Sequence, residues 1–431
     1  MTPTARKLSG ALVAVGGTAF VLLAWWLVPW DPVPGGPVEP VRAEDYFSPE
    51  HIARAEQYSQ WARTWSYSSL AVSILVACYL GFSRRGRSWA QRAPGPWWVQ
   101  VVVLVTAVEL VRRVVTFPFG IAFEQHRRDY GLSTRPWSGY AADVVRNEVL
   151  GIVVASIALL VVIGLARRLP RVWPVVAGLL VAALVVLGSF VYPVVVEPAF
   201  NSFEPLPDGP LRQGIVELAD EEGVEIGEVL VADASRRTST LNAYVSGFGA
   251  SRRVVLYDTL VEDLSADQAL SVVAHELGHA KHGDVVVGTT LGAAGALVAV
   301  GLLAVVVGRL GHRGWPAAGD AAVVPLVLAL FAVGGLVASP VQNGISRQVE
   351  TRADVDALSA TQQPEAFVGL QVELAEHSLA DPTPPDLLAA WFQSHPGVLD
   401  RIGLARRAAA NADRGPRTRP PVNARISCSR W

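Results

Sequence analysis

Two histidines and a glutamate in the segment His275-Glu276-Leu277-Gly278-His279 have the spacing of a metal site. On a helix, His275 and His279 lie four residues apart on one face, so both imidazoles can reach one Zn²⁺ at about 2.0–2.1 Å. Glu276 lies beside that face, where its carboxylate can take a proton from a metal-activated water and return it to a leaving amine. The HExxH spacing therefore predicts zinc-dependent hydrolysis of a peptide bond.

A catalytic zinc needs a third protein ligand, and the best candidate follows a later apolar run. Glu350 and Asp354 lie four residues apart in the segment 346–354. On a helix, Glu350 can bind the metal while Asp354 accepts a hydrogen bond from the second nitrogen of a ligand histidine. Taken alone, the two acids could equally be a solvated helix face paired with Arg347 and Arg352. Their combination with HExxH favours a ligand and its orienting group.

His282 is the nearest alternative ligand, three residues after His279. Three histidines of one helix rarely surround one ion, so we expect His282 to flank the site. The alternative for His275 and His279 is a pair of surface histidines on an ordinary amphipathic helix. The pairing with Glu350 argues against that alternative.

The helix that positions the histidines is predicted together with its start. Ser265 followed by Gln268 forms a capping box, so we expect a helix from about 266 to 282. Upstream, the spacing of apolar residues predicts one helix and three short strands: 211–222, 228–234, 241–247 and 252–258. These elements together form a small α/β segment.

The rest of the chain is dominated by apolar sequence. Of 431 residues, 51% are hydrophobic and only 17% are charged, which exceeds what one soluble core needs. Seven apolar runs each approach the ~20 residues that cross a bilayer as a helix: 8–29, 67–84, 97–117, 149–166, 173–196, 285–309 and 321–343. We predict a mainly α membrane protein with seven transmembrane helices, an α/β zinc-metalloprotease segment between the fifth and sixth, and a helical carboxyl-terminal part.

Composition also limits the kinds of partner that the protein can bind. The first run follows Arg6 and Lys7, but it is long and lacks a small-residue cleavage pattern, which favours a retained helix over a signal peptide. A net charge of −2 argues against nucleic acid as a partner, and Cys78 and Cys428 fit no disulfide framework. We expect the lipid bilayer and a peptide or protein substrate instead.

The predicted organisation has five parts. Residues 1–196 hold five transmembrane helices, 197–284 the protease segment with its HExxH helix, and 285–343 the sixth and seventh helices. Residues 344–410 carry the third zinc ligand, and 411–431 form a mobile tail rich in arginine and proline.

With these motifs, the chain resembles the type I CAAX prenyl endopeptidase family of integral-membrane zinc metalloproteases. Beyond HELGH, the likeness includes SRQVETRAD (346–354) and TSTLNAYVSGFGASRRVVLYDTL (238–260). Residues 117–148 and 200–215 are also similar to family segments. Seven spans, with the protease segment between the fifth and sixth, match as well.

The resemblance implies a role for each residue that matches a family motif. It implies one Zn²⁺ with Glu276 as the base and three ligands: His275, His279 and Glu350. Asn242 and Ala243 fall at the family's substrate-contacting position, where an edge strand could align an extended peptide. His395 and Arg401, in HPGVLDR, match a block that would donate hydrogen bonds to the tetrahedral oxyanion. Gly397 replaces a second proline that the family usually has, a departure that does not touch the metal chemistry.

The family also encloses its zinc in a chamber ringed by the spans. Glu109, Arg112 and Arg113 are intramembrane charges of the kind that face such a cavity. The alternative is an i,i+4 pair between Glu109 and Arg113 at a helix end.

Two functions of different class follow from these patterns. One is a membrane zinc metalloendopeptidase, acting in CAAX-type processing or in quality control of membrane proteins. A composition rich in alanine, valine and arginine is typical of a bacterial source, which favours the broader endopeptidase. The other is a transporter or receptor that binds a metal without chemistry.

Two sets of arginines favour opposite orientations of the protein in the membrane. One set of loop arginines favours an inside amino terminus and zinc outside under the positive-inside rule: Arg84, Arg85, Arg87, Arg167, Arg168 and Arg171. The family's arrangement is the reverse and keeps another set inside: Arg127, Arg128, Arg135 and Arg146. Following the resemblance, we predict a bacterial cell membrane with the active site facing the cytoplasm.

Overall fold

The computed structural model describes residues 1–191, 202–247, 249 and 252–413. The predicted boundary at 196/197 and most of the predicted tail, from residue 414 on, lie outside the described residues. The described part consists mainly of helices, which accompany one small sheet.

Long apolar helices make up the membrane part. Six helices of the described part are long and apolar enough to cross a bilayer: α1 (Pro3–Leu27), α2 (Pro49–Phe82), α5 (Trp137–Arg168), α6 (Trp173–Val191), α10 (Asp284–Gly311) and α11 (Val324–Thr361). A short helix, α3 (Arg84–Ala90), follows α2. The prediction of a membrane protein built mainly of helices is therefore confirmed.

The exact count of seven spans is not confirmed. The predicted third span lies in α4 (Trp97–Asp129), a 33-residue helix that is not among the six. It carries the charges Glu109, Arg112 and Arg113 within its apolar stretch. Arg112 donates to Glu109 at 2.9 Å and to Ser73 of α2, while Arg113 donates to Glu148 of α5 at 2.6 Å. The alternative pairing of Glu109 with Arg113 is thus replaced by contacts that tie α4 to both neighbouring helices.

The sheet lies in the segment between α6 and α10. Its order is β1-β2-β4-β3, with strands β1 (Phe203–Pro205), β2 (Glu228–Ala232), β3 (Ala243–Ser246) and β4 (Arg253–Tyr257). Strands β2 and β4 are parallel, whereas β3 pairs with β4 antiparallel and lies at one edge. The three strands that the sequence predicted are confirmed, and β1 is an additional one.

Further helices belong to this segment or follow α11. They are α7 (Pro210–Glu221), α8 (Asp258–Asp263) and α9 (Ala266–His282), followed after α11 by α12 (Pro364–Ser378), α13 (Asp386–Phe392) and α14 (Val398–Asp413). The capping box of Ser265 and Gln268 starts α9 as predicted. One apolar core joins the sheet to α7, α9, α12 and α14, and its buried members include Ile215, Leu256, Leu277, Phe367 and Ile402.

The seventh apolar run and the segment that carries Glu350 belong to a single helix, α11. Residues 324–361 form 38 continuous helical residues, and Pro340 lies inside them. The predicted division at 343/344 therefore falls within an unbroken helix. Because a helix is stiff, α11 fixes Glu350 relative to the membrane part of the protein.

Candidate active site

The imidazoles of His275 and His279 face one another on α9. Their Nε2 atoms are 3.1 Å apart. The other ring nitrogen of each histidine faces a carboxylate: His275 Nδ1 is 2.9 Å from Asp354 and His279 Nδ1 is 2.8 Å from Asp284. A carboxylate accepts hydrogen bonds, so each Nδ1 carries the hydrogen and each Nε2 is left with its lone pair.

Glu350 of α11 brings a third donor to the same point. Its carboxylate oxygens lie 3.2 Å from His275 Nε2 and 3.7 Å from His279 Nε2. One of them, Oε2, is buried and has no hydrogen-bond partner. Ligand atoms of the three residues lie within 4.8 Å of one another.

This donor set fits a divalent metal ion. Two imidazole nitrogens 3.1 Å apart, next to a buried carboxylate oxygen without a hydrogen-bond partner, form a group of donors that a cation bound between them would satisfy. Two imidazoles and one carboxylate also match the three protein ligands of a catalytic metal site that keeps a position open. The structure thus brings together the three ligands that the sequence predicted: His275, His279 and Glu350.

Two glycines allow this assembly. A Cβ on Gly278 would come within 3.2 Å of Asp356 and 3.5 Å of Ala353, so the absence of a side chain lets α9 approach α11 closely. Gly283 ends α9 in the left-handed conformation, with φ of 65°. That turn directs Asp284, the first residue of α10, back toward His279.

Glu276 lies next to the histidines and to the sheet edge, and it is partly buried. Burial raises the pKa of Glu276, while the two histidine charges and a hydrogen bond from the backbone N–H of Val245 lower it in part. A raised carboxylate pKa suits a group that must exchange a proton near neutral pH.

Asp354 is almost fully buried and contacts both a ligand histidine and an arginine. It accepts the hydrogen bond of His275, and Arg401 of α14 donates to it through Nε at 2.8 Å and through Nη2. Asp354 therefore lies where the sequence placed it, behind a ligand. Arg401, for which the resemblance implied an oxyanion contact, directs these two donors at Asp354.

The side chain of His395 lies at the open side of the site. It is 61% exposed, and its Nε2 is 3.3 Å from Glu350 Oε2. Ser394 Oγ lies 2.9 Å from the other ring nitrogen. His395 is therefore near the metal donors with a nitrogen directed at them.

Asn242 and Ala243 stand at the start of the edge strand β3. The Tyr257 N–H donates to the Asn242 carbonyl at 3.0 Å, so the backbone of Asn242 is paired with β4. In an antiparallel pair the bonded residues alternate, so the N–H and C=O groups of Ala243 and Val245 point away from β4. These groups line the outer edge of the sheet beside Glu276, and the Asn242 side chain is exposed.

Asp284 and Arg352 are also parts of the site, which the sequence did not predict. Asp284 orients His279, and Arg352 donates to the other oxygen of that carboxylate. The arrangement repeats the chain of contacts from His275 through Asp354 to Arg401. Asp284 follows a glycine and lies five residues after the second histidine. That pattern is the sequence signal that could have identified it.

His282, the alternative ligand, is turned to another partner. Its Nε2 lies 2.9 Å from Asp356 Oδ2, and it is not part of the donor cluster found among the described residues. The contact adds a second link between α9 and α11.

A membrane-embedded metallopeptidase is the class of protein that this fold and this site define. Residues 205–409 match the model of peptidase family M48, and residues 38–202 match that of the CAAX prenyl protease N-terminal region, described as five membrane helices. The chain therefore belongs to peptidase family M48 and carries the amino-terminal region of its CAAX prenyl proteases.

Individual proteins show the same relationship. The uncharacterized metalloprotease YhfN of Bacillus subtilis is 30% identical over 92% of this chain and 96% of its own length. A CAAX prenyl protease 1 homolog of Oryza sativa is 32% identical over 52% of this chain and 54% of its own length. The crystal structure of S. mikatae Ste24p superposes with a TM-score of 0.74 at 20% identity, covering 94% of this chain and 99% of that one, which shows a shared fold.

Proposed function

We propose that this protein is a zinc metalloendopeptidase that hydrolyses peptide bonds at the membrane. The observation that carries the proposal is the convergence of two histidine Nε2 atoms and an unpartnered glutamate oxygen at one point. A donor set of two nitrogens and one oxygen, with an open position, is that of catalytic zinc in peptidases. When bound, zinc lowers the pKa of a coordinated water and polarises the scissile carbonyl.

Glu276 is the base in this proposal. Its carboxylate accepts a proton from the attacking water and then gives that proton to the departing amine, so the same oxygen serves both halves of the reaction. Burial raises the pKa of Glu276, which stabilises the protonated form of this side chain between the two proton transfers.

We assign different tasks to the two residues of the HPGVLDR segment. His395 is exposed at the open side of the site, and its imidazole N–H can donate to the oxyanion that develops on the substrate. Arg401 binds Asp354, which in turn holds His275, so we assign Arg401 and Asp354 to positioning the ligand. The oxyanion role of Arg401 that the resemblance implies stays a prediction.

The outer edge of β3 is the proposed binding surface for the substrate. An extended peptide that pairs antiparallel with β3 would use the outward N–H and C=O groups of Ala243 and the C=O group of Val245, whose N–H already donates to Glu276. The exposed Asn242 side chain lies at the end of that edge and would contact the substrate directly. Recognition through the main chain is tolerant of sequence, as a general endopeptidase requires.

Two substrate classes are compatible with this surface. Relatives named CAAX prenyl proteases suggest cleavage of a prenylated carboxyl-terminal tripeptide. The similarity to the Bacillus subtilis metalloprotease over 92% of the chain favours a bacterial source. For a bacterial enzyme we propose the second class, membrane-associated proteins that are cleared in quality control.

The substitution Glu276→Gln tests the proposal, because it keeps the size of the side chain and removes the base. We expect peptide cleavage by the purified protein to fall by at least about 10³-fold, with the metal still bound. Metal content by mass spectrometry and cleavage of a fluorogenic peptide are measured on the same sample. A variant that cleaves at the rate of the unsubstituted protein would disprove the mechanism and favour a metal-binding transporter or receptor.

A further inference from the structure

The short helix α13 stands directly before the loop that carries His395. The structure describes all seven residues of α13, and none of them is buried. His395 follows the end of α13 by three residues, and its side chain is 61% exposed. After this loop, α14 packs into the apolar core and holds the loop from one side. On the other side, the position of His395 depends on how α13 is attached to the rest of the protein.

Pro340 of α11 creates an attachment point for α13. A proline has no backbone N–H, so the carbonyl four residues earlier, that of Leu336, loses its partner within the helix. The indole N–H of Trp391 in α13 donates to this carbonyl at 3.0 Å. A backbone group that the helix leaves without a donor is thus satisfied by α13.

Side chains of α11 also bind the carbonyl groups at the end of α13. The last carbonyls of a helix have no N–H partner within it. Ser339 Oγ and Asn343 Nδ2 donate to the carbonyl of Trp391 at 2.8 Å and 2.6 Å. One turn farther along α11, Arg347 donates to the carbonyl of Gln393 at 2.6 Å. Arg347 therefore fixes the backbone where the chain leaves α13 for the loop of the candidate active site.

These contacts lie on the face of α11 that also carries the third metal ligand. Members of this face recur every three or four residues: Leu336, Pro340, Asn343, Arg347 and Glu350. At the end of the row, Glu350 Oε2 lies 3.3 Å from His395 Nε2. The helix that supplies Glu350 is thus also the one on which α13 docks. Because a helix is stiff, this docking sets the position of His395 relative to the metal donors.

We propose that Trp391 and Arg347 are positioning residues that hold His395 where its imidazole N–H meets the oxyanion of the substrate. The proposal rests on the proposed peptidase activity and on the task assigned there to His395. An oxyanion donor acts through its position, and a displacement of about 1 Å can cost about 10²-fold in rate. The hydrogen bonds of Trp391 and Arg347 go to backbone carbonyls and not to the metal donors, so both residues act on the reaction through His395.

The variants Trp391→Phe and Arg347→Gln test this role, because they remove the indole N–H and the guanidinium. We expect each to lower kcat for a fluorogenic peptide by about 10-fold and to change KM by less than about 2-fold, since the oxyanion forms only in the transition state. Zinc content by mass spectrometry should equal that of the unsubstituted protein. An unchanged kcat in both variants, or a loss of zinc, would contradict the proposal.

Trp30→Phe is the matched control for Trp391→Phe. The indole N–H of Trp30 also donates to a carbonyl, that of Ala24 at 2.9 Å, but this bond lies at the end of α1. We expect kcat, KM and zinc content of this variant to equal those of the unsubstituted protein. An equal fall of kcat in the control would show that any lost indole hydrogen bond has this effect, and it would contradict a specific role of Trp391.

Combination with His395→Ala separates positioning from a general loss of structure. If Trp391 acts through His395, Trp391→Phe should change kcat by less than about 2-fold in a protein that already carries His395→Ala. A further fall of about 10-fold in that background would show that α13 affects the reaction independently of His395. That result would overturn the proposal.

Spin labelling measures the mobility of residue 395 without any peptidase activity. In a variant with Cys78 and Cys428 replaced by serine, His395→Cys carries a nitroxide label. We expect its electron paramagnetic resonance spectrum to show a more mobile label after Trp391→Phe or Arg347→Gln, and no change after Trp30→Phe. An equally mobile label in all of these proteins would refute the attachment through α13. An unsubstituted protein that cleaves no peptide would instead refute the proposed function, whatever the label shows.

Discussion

Each histidine ligand of the site is held by its own carboxylate, and each carboxylate by its own arginine. His275 is held by Asp354 and Arg401, and the partners of His279 are Asp284 and Arg352. The hydrogen bond to Nδ1 fixes the tautomer and the direction of Nε2, while the arginine pairs with the carboxylate. The geometry of the metal site thus depends on residues that never touch the metal.

The substitution Asp284→Asn isolates one of these supports. It retains the volume of the side chain but weakens the acceptor for His279, so we expect metal affinity to fall by about 10- to 100-fold. Competition with a zinc chelator measures the affinity. Asp356→Asn is the matched control, because Asp356 holds His282 outside the donor cluster and should leave the affinity unchanged. Equal affinities in the two variants would show that Asp284 does not orient the ligand.

The substitution Arg401→Gln separates two roles for this arginine. If Arg401 positions Asp354, its loss leaves a buried carboxylate without its cation, so metal affinity and thermal stability should both fall, the latter by about 3 kcal/mol. If it contacts the oxyanion, kcat should fall while metal affinity stays constant. Arg406→Gln, on the same helix but bound to Glu365 and Tyr46, is the control and should change neither quantity.

At the scale of elements, the close packing of α9 against α11 assembles the metal site. Gly278 leaves no side chain between the helices, and the His282–Asp356 hydrogen bond adds a second contact. Because α11 is continuous from the membrane part to Thr361, the position of Glu350 follows the packing of the whole helix. The distance between α9 and α11 therefore decides whether three ligands converge.

The substitution Gly278→Val should separate these two helices. Its side chain would meet Asp356 and Ala353 where a Cβ alone is already within 3.2 Å of the former, so Glu350 would move away from the histidines. We expect zinc content of the purified protein to drop below about a tenth of a molar equivalent. Gly288→Val on α10, where a Cβ meets nothing within 4 Å, should retain full zinc content. Retained zinc in the Gly278→Val variant would contradict this view of the packing.

At the scale of the whole molecule, the metal connects parts that are distant in sequence. Two ligands come from α9, which precedes the membrane helix α10, and the third comes from α11. The metal therefore closes a loop that contains two membrane helices. Removing it should weaken the attachment of the protease segment to the membrane part.

Removal of the metal with a chelator should lower the unfolding temperature. A ligand whose free concentration is about 100 times its dissociation constant stabilises the folded state by about 2.7 kcal/mol. Removal of the ligand loses that stabilisation. Differential scanning fluorimetry before and after chelation measures the change, and added Zn²⁺ should reverse it. The variant Glu350→Ala, which lacks one ligand, should unfold at a temperature that the chelator does not alter. An unchanged temperature in the unsubstituted protein would show that the metal does not link the two parts.

The local elements and the identity of the metal donors follow from the sequence alone. Spacing of four residues on a helix specifies the pair His275 and His279, and the capping box specifies where α9 begins, since both depend on neighbouring residues alone. Apolar runs of about 20 residues likewise specify membrane helices through length and composition. The count of spans was less certain, because the charges of α4 interrupt its apolar stretch and their partners lie on other helices.

The residues that surround the metal donors are set by tertiary contacts. Asp284 reaches His279 through the left-handed turn at Gly283, and Arg401 reaches Asp354 from a helix 47 positions farther along the chain. The contact of Arg401 with Asp354 joins segments that are far apart along the chain, so local spacing cannot reveal it.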